Sequence, residues 1–242
     1  MLAECLAWQP KQMQTWRIVL GLVGFLSLVG CTSSGESGLG VSPAQIDSFQ
    51  QARLLNPAEL SDDPYLSTQE NSAENVVCAL QFQNDSEYLL QTFDSASCAQ
   101  SAGFTLTHQS ACRTCSSLQD LEIYLSHTDL VTPVRRCALL SFSKSLTTRC
   151  LQKLGFTETC AQTWFYNARN TAKHCRGVCL KSWFLREPNN QEDGGLNACL
   201  ACDEEMSGEV FKQAAGRTRR NSGITSAIQR GDGETATLKH DY

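Results

Sequence analysis

The sequence lacks an apolar run long enough to cross a membrane. Its longest apolar stretch, Ile18–Val29, spans twelve residues. As a helix it would rise about 18 Å, whereas the hydrocarbon core of a bilayer is about 30 Å thick. An internal repeat is also missing. We therefore expect neither a transmembrane helix nor a repeat architecture.

A surplus of positive charge is missing as well. The chain has 20 lysines and arginines against 25 aspartates and glutamates, so its formal net charge is −5. Because nucleic-acid binding needs a broad basic surface, this composition argues against a nucleic-acid partner. Hydrophobic residues make up 41% of the chain and charged residues 19%, which is typical of a globular protein with a buried core.

Cysteine, in contrast, is abundant, with 13 residues. The apolar stretch follows Lys11 and Arg17 and ends in small residues, a pattern typical of a secretory signal. We therefore predict a signal peptide over residues 1–30 and export to an oxidising compartment. Because disulfides persist in such compartments, most of the later cysteines are expected to form structural bridges.

The end of this signal carries a family resemblance. Leu28-Val29-Gly30-Cys31 resembles the lipobox of bacterial lipoprotein precursors. The resemblance implies a lipid on Cys31 and attachment to a membrane surface at the cell envelope, on the periplasmic or extracellular side. The alternatives are plain secretion and delivery to the lumen of a secretory pathway. If Cys31 carries lipid, the eleven later cysteines are odd in number, and at least one stays unpaired within the chain.

Composition divides the rest of the chain into three parts. Residues 31–74 are polar and predict a tether with one possible short helix, which Ser42 would cap. Residues 75–220 form the predicted cysteine-rich globular domain. Residues 221–242 are expected to be a flexible C-terminal tail.

The patterns within the domain change from strand-like to helical. Strand-like runs on both sides of Asn84-Asp85 predict a hairpin, and a third short strand precedes residue 108. After residue 116 the apolar residues recur at helical spacing. The expected fold class is α+β, mainly α, with a small β-meander followed by a disulfide-stapled helical bundle.

A CxxC motif at the strand–helix junction is the strongest chemical signal. Cys112 and Cys115 follow the third strand, and Ser116 is the predicted N-cap of the next helix. The free amides and the dipole of a helix start favour an anion, so Cys115 is expected to form a thiolate readily. His108 is close in sequence and is the candidate proton partner of that thiolate.

Two enzyme families place cysteine in a similar way. The CxxC motif resembles that of thioredoxin-like oxidoreductases, although the flanking tryptophan is absent. The spacing of Gln109, Cys112 and Cys115 is similar to that of papain-like peptidases. That resemblance implies a nucleophilic Cys115 and an oxyanion-hole role for Gln109, but Ser116 stands where the family has an aromatic residue. Each resemblance covers about ten residues of the chain.

A basic segment near the end of the domain predicts a ligand site. Arg217, Arg219 and Arg220 lie in a stretch of the chain, residues 212–230, that has no acidic residue. Because arginine forks suit carboxylate, phosphate and sulfate groups, we expect them to bind a small anionic ligand. The alternative is a solvated segment whose charge is balanced by acidic residues just upstream.

A second CxxC motif raises the alternative of a metal site. Cys199 and Cys202 could complete a four-cysteine zinc site with Cys112 and Cys115. Export disfavours free thiolates, however, so the sequence predicts neither a metal site nor a cofactor.

Two functional hypotheses follow. The first is a thiol-dependent enzyme, either a hydrolase or a thiol-disulfide exchanger, with Cys115, His108, Gln109 and Cys112 at its site. The second is a non-catalytic extracytoplasmic module that binds a protein partner or small ligand and is held rigid by disulfides. Pairing of Cys112 and Cys115 with distant cysteines would favour the second hypothesis.

Overall fold

The structure is a computed structural model that describes residues 41–66 and 75–242. The predicted signal peptide, the lipobox with Cys31 and two parts of the predicted tether, residues 32–40 and 67–74, lie outside these residues. Within the two described ranges, no helix combines the length and apolar character needed to span a bilayer.

A small mixed sheet occupies the N-terminal half of the described chain. Its strands are β1 Arg53–Leu54, β2 Val77–Asn84, β3 Glu87–Phe93 and β4 Thr105–Gln109. They lie in the order β1-β3-β2-β4. Strands β2 and β3 form the predicted antiparallel hairpin, β4 pairs antiparallel with β2, and β1 pairs parallel with β3.

Helices dominate the rest of the domain. Their bounds are α1 Pro43–Phe49, α2 Ala96–Ser101, α3 Leu118–Ser126, α4 Val131–Ala138, α5 Lys144–Gln152, α6 Glu158–His174, α7 Arg176–Phe184, α8 Ala198–Asp203 and α9 Glu209–Ala215. A π-helical turn, Glu204–Gly208, joins α8 to α9, and a 3-10 turn, Arg220–Ser222, follows α9. The predicted α+β, mainly helical class with disulfide-stapled helices is confirmed.

Side-chain caps explain where several helices begin. Ser42 caps α1, as its sequence context predicts. At α3 the cap is Ser117, whose hydroxyl oxygen accepts a hydrogen bond from the Asp120 amide at 3.0 Å. The sequence predicts this cap one residue earlier, at Ser116. The structure uses Ser116 differently because its hydroxyl is taken up by contacts outside the helix.

The core lies on both faces of the sheet because alternate side chains of a strand point to opposite faces. On one face, Cys78 and Leu80 of β2 pack with helix residues such as Leu118 in the larger buried cluster. On the other face, Val77 and Ala79 pack in a smaller cluster that α2 covers. The helices around the larger cluster position the candidate site residues described below.

Disulfides staple the helices to each other and to the sheet. Five bridges have both cysteines within the described residues: Cys78–Cys112, Cys115–Cys160, Cys137–Cys150, Cys175–Cys202 and Cys179–Cys199. Cys98 is disulfide-bonded as well. Every cysteine in the described part of the chain is therefore oxidised, which indicates an oxidising environment for the folded protein.

The C-terminal segment packs against the domain, where the sequence predicted a flexible tail over residues 221–242. Ile224 belongs to the larger core cluster, and His240 has no exposed surface. The Tyr242 ring packs on Phe49 of α1, with ring centroids 5.7 Å apart. The sequence did not predict this packing because the segment is held by contacts to distant parts of the chain, and such contacts leave no local sequence signal.

Candidate functional site

The CxxC junction is a closed corner of the fold. Cys112 bonds to Cys78 of β2, and Cys115 bonds to Cys160 of α6. The Cys115 side chain has no exposed surface. A nucleophilic or exchanging cysteine needs an accessible thiolate. The structure therefore does not place Cys112 and Cys115 as the predicted catalytic role requires.

The His108 ring forms its side-chain hydrogen bond with a serine rather than with a cysteine sulfur. Its Nε2 lies 2.8 Å from Ser116 Oγ, and its Nδ1 lies 2.9 Å from the carbonyl oxygen of Gln109. Ser116 Oγ also accepts a hydrogen bond from the Arg113 amide at 2.8 Å. These contacts suit a neutral histidine that donates from Nδ1 and accepts the serine proton at Nε2. Complete burial lowers the pKa of His108 well below its ordinary value.

The predicted catalytic residues thus do not meet at one accessible point. The Gln109 side chain is exposed, whereas the Cys115 sulfur that it was predicted to assist is buried. Ser116 and His108 form the hydrogen bond of a nucleophile–base pair, but both side chains are fully buried. No substrate can reach either group, so this pair acts as a structural contact.

Arg217 stands at the centre of the same corner and is fully buried. Its Nε donates to the carbonyl oxygen of Cys115 at 3.2 Å, and its Nη2 donates to that of Ser116 at 2.9 Å. Further bonds run to the carbonyl oxygen and hydroxyl of Thr107 and to the hydroxyl of Ser222. All five N–H groups of the guanidinium are used, so none is left for the predicted anionic ligand.

The other two arginines of the predicted anion site share no hydrogen-bond partner with Arg217. Arg219 donates to the carbonyl oxygens of Thr225 and His127, and its guanidinium lies over the Tyr124 ring, 5.7 Å from the ring centroid. Arg220 is exposed. The structure therefore does not gather the three arginines around one ligand.

A buried carboxyl group completes this polar centre. Asp120 lies at the start of α3 and accepts hydrogen bonds from Ser117 Oγ at 2.6 Å and from the Thr157 amide at 2.9 Å. Burial raises its pKa to about 6. Because Thr157 is the N-cap of α6, the carboxyl group ties the starts of two helices together. Arg217 and Asp120 therefore have a structural role, because their hydrogen bonds hold neighbouring loops and helix starts together.

An open cleft lies in the helical half of the domain. It has a volume of about 2550 Å³ and is lined by residues of α4, α6, α7, α8, α9 and the segment after α9. We call it the helical cleft. Eleven lysines and arginines but only six aspartates and glutamates line it. The lining is therefore positive, although the whole chain has a net charge of −5.

Three residues that line this cleft, Tyr124, Trp164 and Arg135, each have a solvent-shielded polar atom, and Arg135 Nη2 meets no hydrogen-bond partner. The Trp164 indole N–H lies beside the Tyr124 hydroxyl and opposes the rise that burial causes in the pKa of Tyr124. Sequence reasoning singled out neither Tyr124 nor Arg135. No local pattern could have found them, since only the packing of distant elements determines which polar groups are shielded from solvent.

The described residues contain no group of three or more histidine, cysteine, aspartate or glutamate side chains placed to hold a metal ion. Cys199 and Cys202, the second CxxC motif, bond to Cys179 and Cys175.

The helical half resembles a known family. Residues 144–238 match the model of DUF8771, a family of unknown function. This stretch runs from the start of α5 into the segment after the 3-10 turn, and it supplies most of the lining of the helical cleft. It does not include the sheet or the CxxC junction. No curated protein and no solved structure matches the chain significantly.

Proposed function

We propose that this protein is an exported, non-catalytic interaction module held rigid by its disulfides. The observation that carries the proposal is the pairing of the two CxxC motifs. Each of their four cysteines bonds to a cysteine outside its own motif. Exchange chemistry needs a CxxC pair that can bond to itself, and hydrolysis needs a free thiolate. Structural bridges need neither.

Rigidity of the helical cleft is the second support. Two bridges, Cys175–Cys202 and Cys179–Cys199, fasten α7 and α8, whose residues line this cleft. A binding surface that is already ordered loses less conformational entropy when a partner binds. The density of bridges around the cleft therefore suits recognition better than a mobile catalytic site.

Thiol titration of the mature, unreduced protein tests the proposal. We expect no reactive thiol at either CxxC motif, and a disulfide map with Cys115 joined to Cys160 and Cys112 joined to Cys78. The double variant Cys115→Ser/Cys160→Ser should lose about 2–5 kcal/mol of stability. A titratable Cys115 thiol, or a bond between Cys112 and Cys115, would contradict the proposal. It would favour the hypothesis of a thiol-dependent enzyme instead.

Export and the lipid anchor need a separate measurement. The oxidised cysteines support export, while the lipid on Cys31 stays a prediction from the lipobox resemblance. Intact-mass analysis of the mature protein from membrane and soluble fractions tests both. We expect cleavage before Cys31, a lipid mass and membrane recovery, and release of the protein to the soluble fraction in Cys31→Ser. An unprocessed chain in the cytoplasm with all thiols reduced would refute export.

A further inference from the structure

We infer that the exposed end of helix α7 docks on the surface of an anionic lipid bilayer. Trp183, Phe184 and Leu185, which we call the apolar tip, enter the headgroup layer, and the basic residues around them contact lipid phosphates. This inference rests on the proposed function, because it names the partner of that interaction module. It does not involve the helical cleft.

The exposure of the apolar tip is the first line of support. The side chains of Trp183, Phe184 and Leu185 are 48%, 77% and 61% exposed. The rings of Trp183 and Phe184 lie side by side, with their centroids 5.8 Å apart. Leu180, one turn earlier on the same helix, is exposed as well. Because soluble monomers rarely expose several large apolar side chains in one patch, such a patch marks a site of contact with a partner or a membrane.

The shape of this end favours a lipid surface over a protein surface. From Val178 to Arg186 only Ser182 is buried. Consecutive residues of a helix are turned by about 100°, so the three side chains of the apolar tip together point over more than half of its circumference. A protein partner would cover one face of such a helix, whereas the fluid headgroup layer can enclose a projecting end. Tryptophan, phenylalanine and leucine next to lysine and arginine are typical of elements that lie in this layer.

The charge around the apolar tip supports the same choice. Arg176, Lys181 and Arg186 lie on α7 or directly after it and are exposed, and none of them forms an ion pair within the described ranges. Residues 159–186 include no aspartate or glutamate, although the whole chain has a net charge of −5. The next residue, Glu187, accepts a hydrogen bond from the buried Ser182 hydroxyl at 2.6 Å. A lysine or arginine close to an anionic bilayer strengthens binding by about fivefold.

Two disulfides hold α7 in this exposed position. Cys175–Cys202 and Cys179–Cys199 fasten it to α8. A helix of nine residues is not stable alone in water, and a helix is ordinarily held by an apolar face that packs on the core. In α7 the side toward the domain is formed by the two cysteines and Ser182. The bridges therefore do the work of apolar packing, which leaves the large apolar side chains of α7 outside the core.

The contact through the apolar tip is weak by itself. Stable attachment to a membrane takes two signals, such as one lipid chain and one basic patch. The lipid predicted on Cys31 would be the first signal, and the end of α7 is the second. We therefore expect the end of α7 to bind vesicles that are present in excess, and to release the Cys31→Ser protein when membranes are washed.

Vesicle binding by the mature, oxidised protein with Cys31→Ser tests the inference, because this variant carries no lipid of its own. We expect saturable binding to vesicles made of equal parts phosphatidylglycerol and phosphatidylcholine, measured by cosedimentation, and a blue shift of the tryptophan emission. Vesicles of phosphatidylcholine alone should bind at least about tenfold more weakly, and salt should weaken binding to the anionic vesicles. Trp183→Phe should still bind but lose the blue shift, since Trp183 is the residue that enters the headgroup layer.

Two pairs of variants locate the contact. Leu185→Ser should weaken binding to the anionic vesicles by about fivefold, and Lys181→Glu by about tenfold or more. Their matched controls are Leu55→Ser, at an exposed leucine next to the sheet, and Lys153→Glu, at the end of α5. Lys153 lies beside the start of α6 and α7 follows its end, so the length of α6, about 25 Å, separates them. Each control should change binding by less than about twofold. All four substitutions are at exposed positions and should leave the melting temperature close to that of the wild type.

Three results would overturn the inference: no binding to anionic vesicles, equal binding to anionic and neutral vesicles, or equal binding by the Lys181→Glu and Lys153→Glu variants. A dimer in light scattering that Leu185→Ser dissociates would also overturn it, because a second copy of the chain would then cover the apolar tip. These results would leave the non-catalytic module in place, since thiol titration tests that proposal. A reactive Cys115 thiol would instead refute the module without changing the measured vesicle binding.

Discussion

Replacing Arg217 with methionine should destabilise the protein far more than replacing its neighbour Arg220. The Arg217 guanidinium is fully buried and holds the carbonyl oxygens of Cys115, Ser116 and Thr107. Methionine has a similar length but no donor. The variant would therefore leave three buried carbonyl groups without these hydrogen bonds.

The expected loss follows from those groups. Each carbonyl left without its partner costs about 1–3 kcal/mol. Removing the buried positive charge returns part of this loss, because the guanidinium was itself desolvated, as the lowered pKa of Arg217 indicates. We expect the free energy of unfolding to fall by about 3–5 kcal/mol in Arg217→Met. Arg217→Lys should recover only part of the loss, since an ammonium group has three donors in place of five.

Urea unfolding at pH 7 with the disulfides intact measures the effect, with tryptophan fluorescence and circular dichroism as the two probes. The exposed Arg220 provides the control, and Arg220→Met should stay within about 0.5 kcal/mol of the wild type. Equal slopes with denaturant would show that the comparison is one of stability alone. If Arg217→Met lost less than about 1 kcal/mol, the structural role assigned to Arg217 would be wrong, and a ligand role would have to be reconsidered.

Two further perturbations test the packing and the buried histidines. Gly216→Ala should lower the melting temperature clearly, because Gly216 has φ +73° and an added Cβ would lie 2.5 Å from a backbone oxygen; Gly177→Ala, where nothing lies within 4 Å, should not. Burial lowers the pKa of both His108 and His240, that of His240 to about 4. In the unfolded chain a histidine binds its proton near pH 6.5. Between pH 6.5 and pH 4 each histidine should therefore lower the free energy of unfolding by about 1.4 kcal/mol for every pH unit that the pH falls. Asp120, below about pH 6, and Asp203 oppose these contributions, since burial raises the pKa of both carboxyl groups and so favours proton uptake by the folded state. Urea unfolding at pH 7, 6 and 5 measures the balance. Stability that rises as the pH falls, or a Gly216→Ala variant as stable as the wild type, would contradict the assigned burial.

Several elements were predictable because their signals are local. The hairpin of β2 and β3 follows from two strand-like runs around a turn. The short helix α2 escaped prediction, although Ser95 caps it, because six residues are too few to show a periodic pattern. The cap of α3 was misplaced by one residue for a different reason. Either serine could cap a helix, and only the contact with His108 in β4 engages Ser116 elsewhere.

The candidate site was less predictable than the fold. Cys112, Cys115, His108 and Gln109 do lie in one corner, but their bonding partners come from other parts of the chain. Cys115 meets Cys160 at a sequence separation of 45 residues, and Arg217 reaches Thr107 at a separation of 110. No spacing rule reports such partners.

The amino-acid sequence alone determined that the chain is rich in cysteine, mainly helical after a small sheet, and without the charge or apolar length of a nucleic-acid binder or a membrane-spanning helix. These properties depend on composition and on contacts between residues three or four apart. The tertiary structure decided which sulfurs pair and that Arg217 serves the fold. Each of these depends on which distant groups come together once the core has closed, because burial turns a polar group without a partner into a cost.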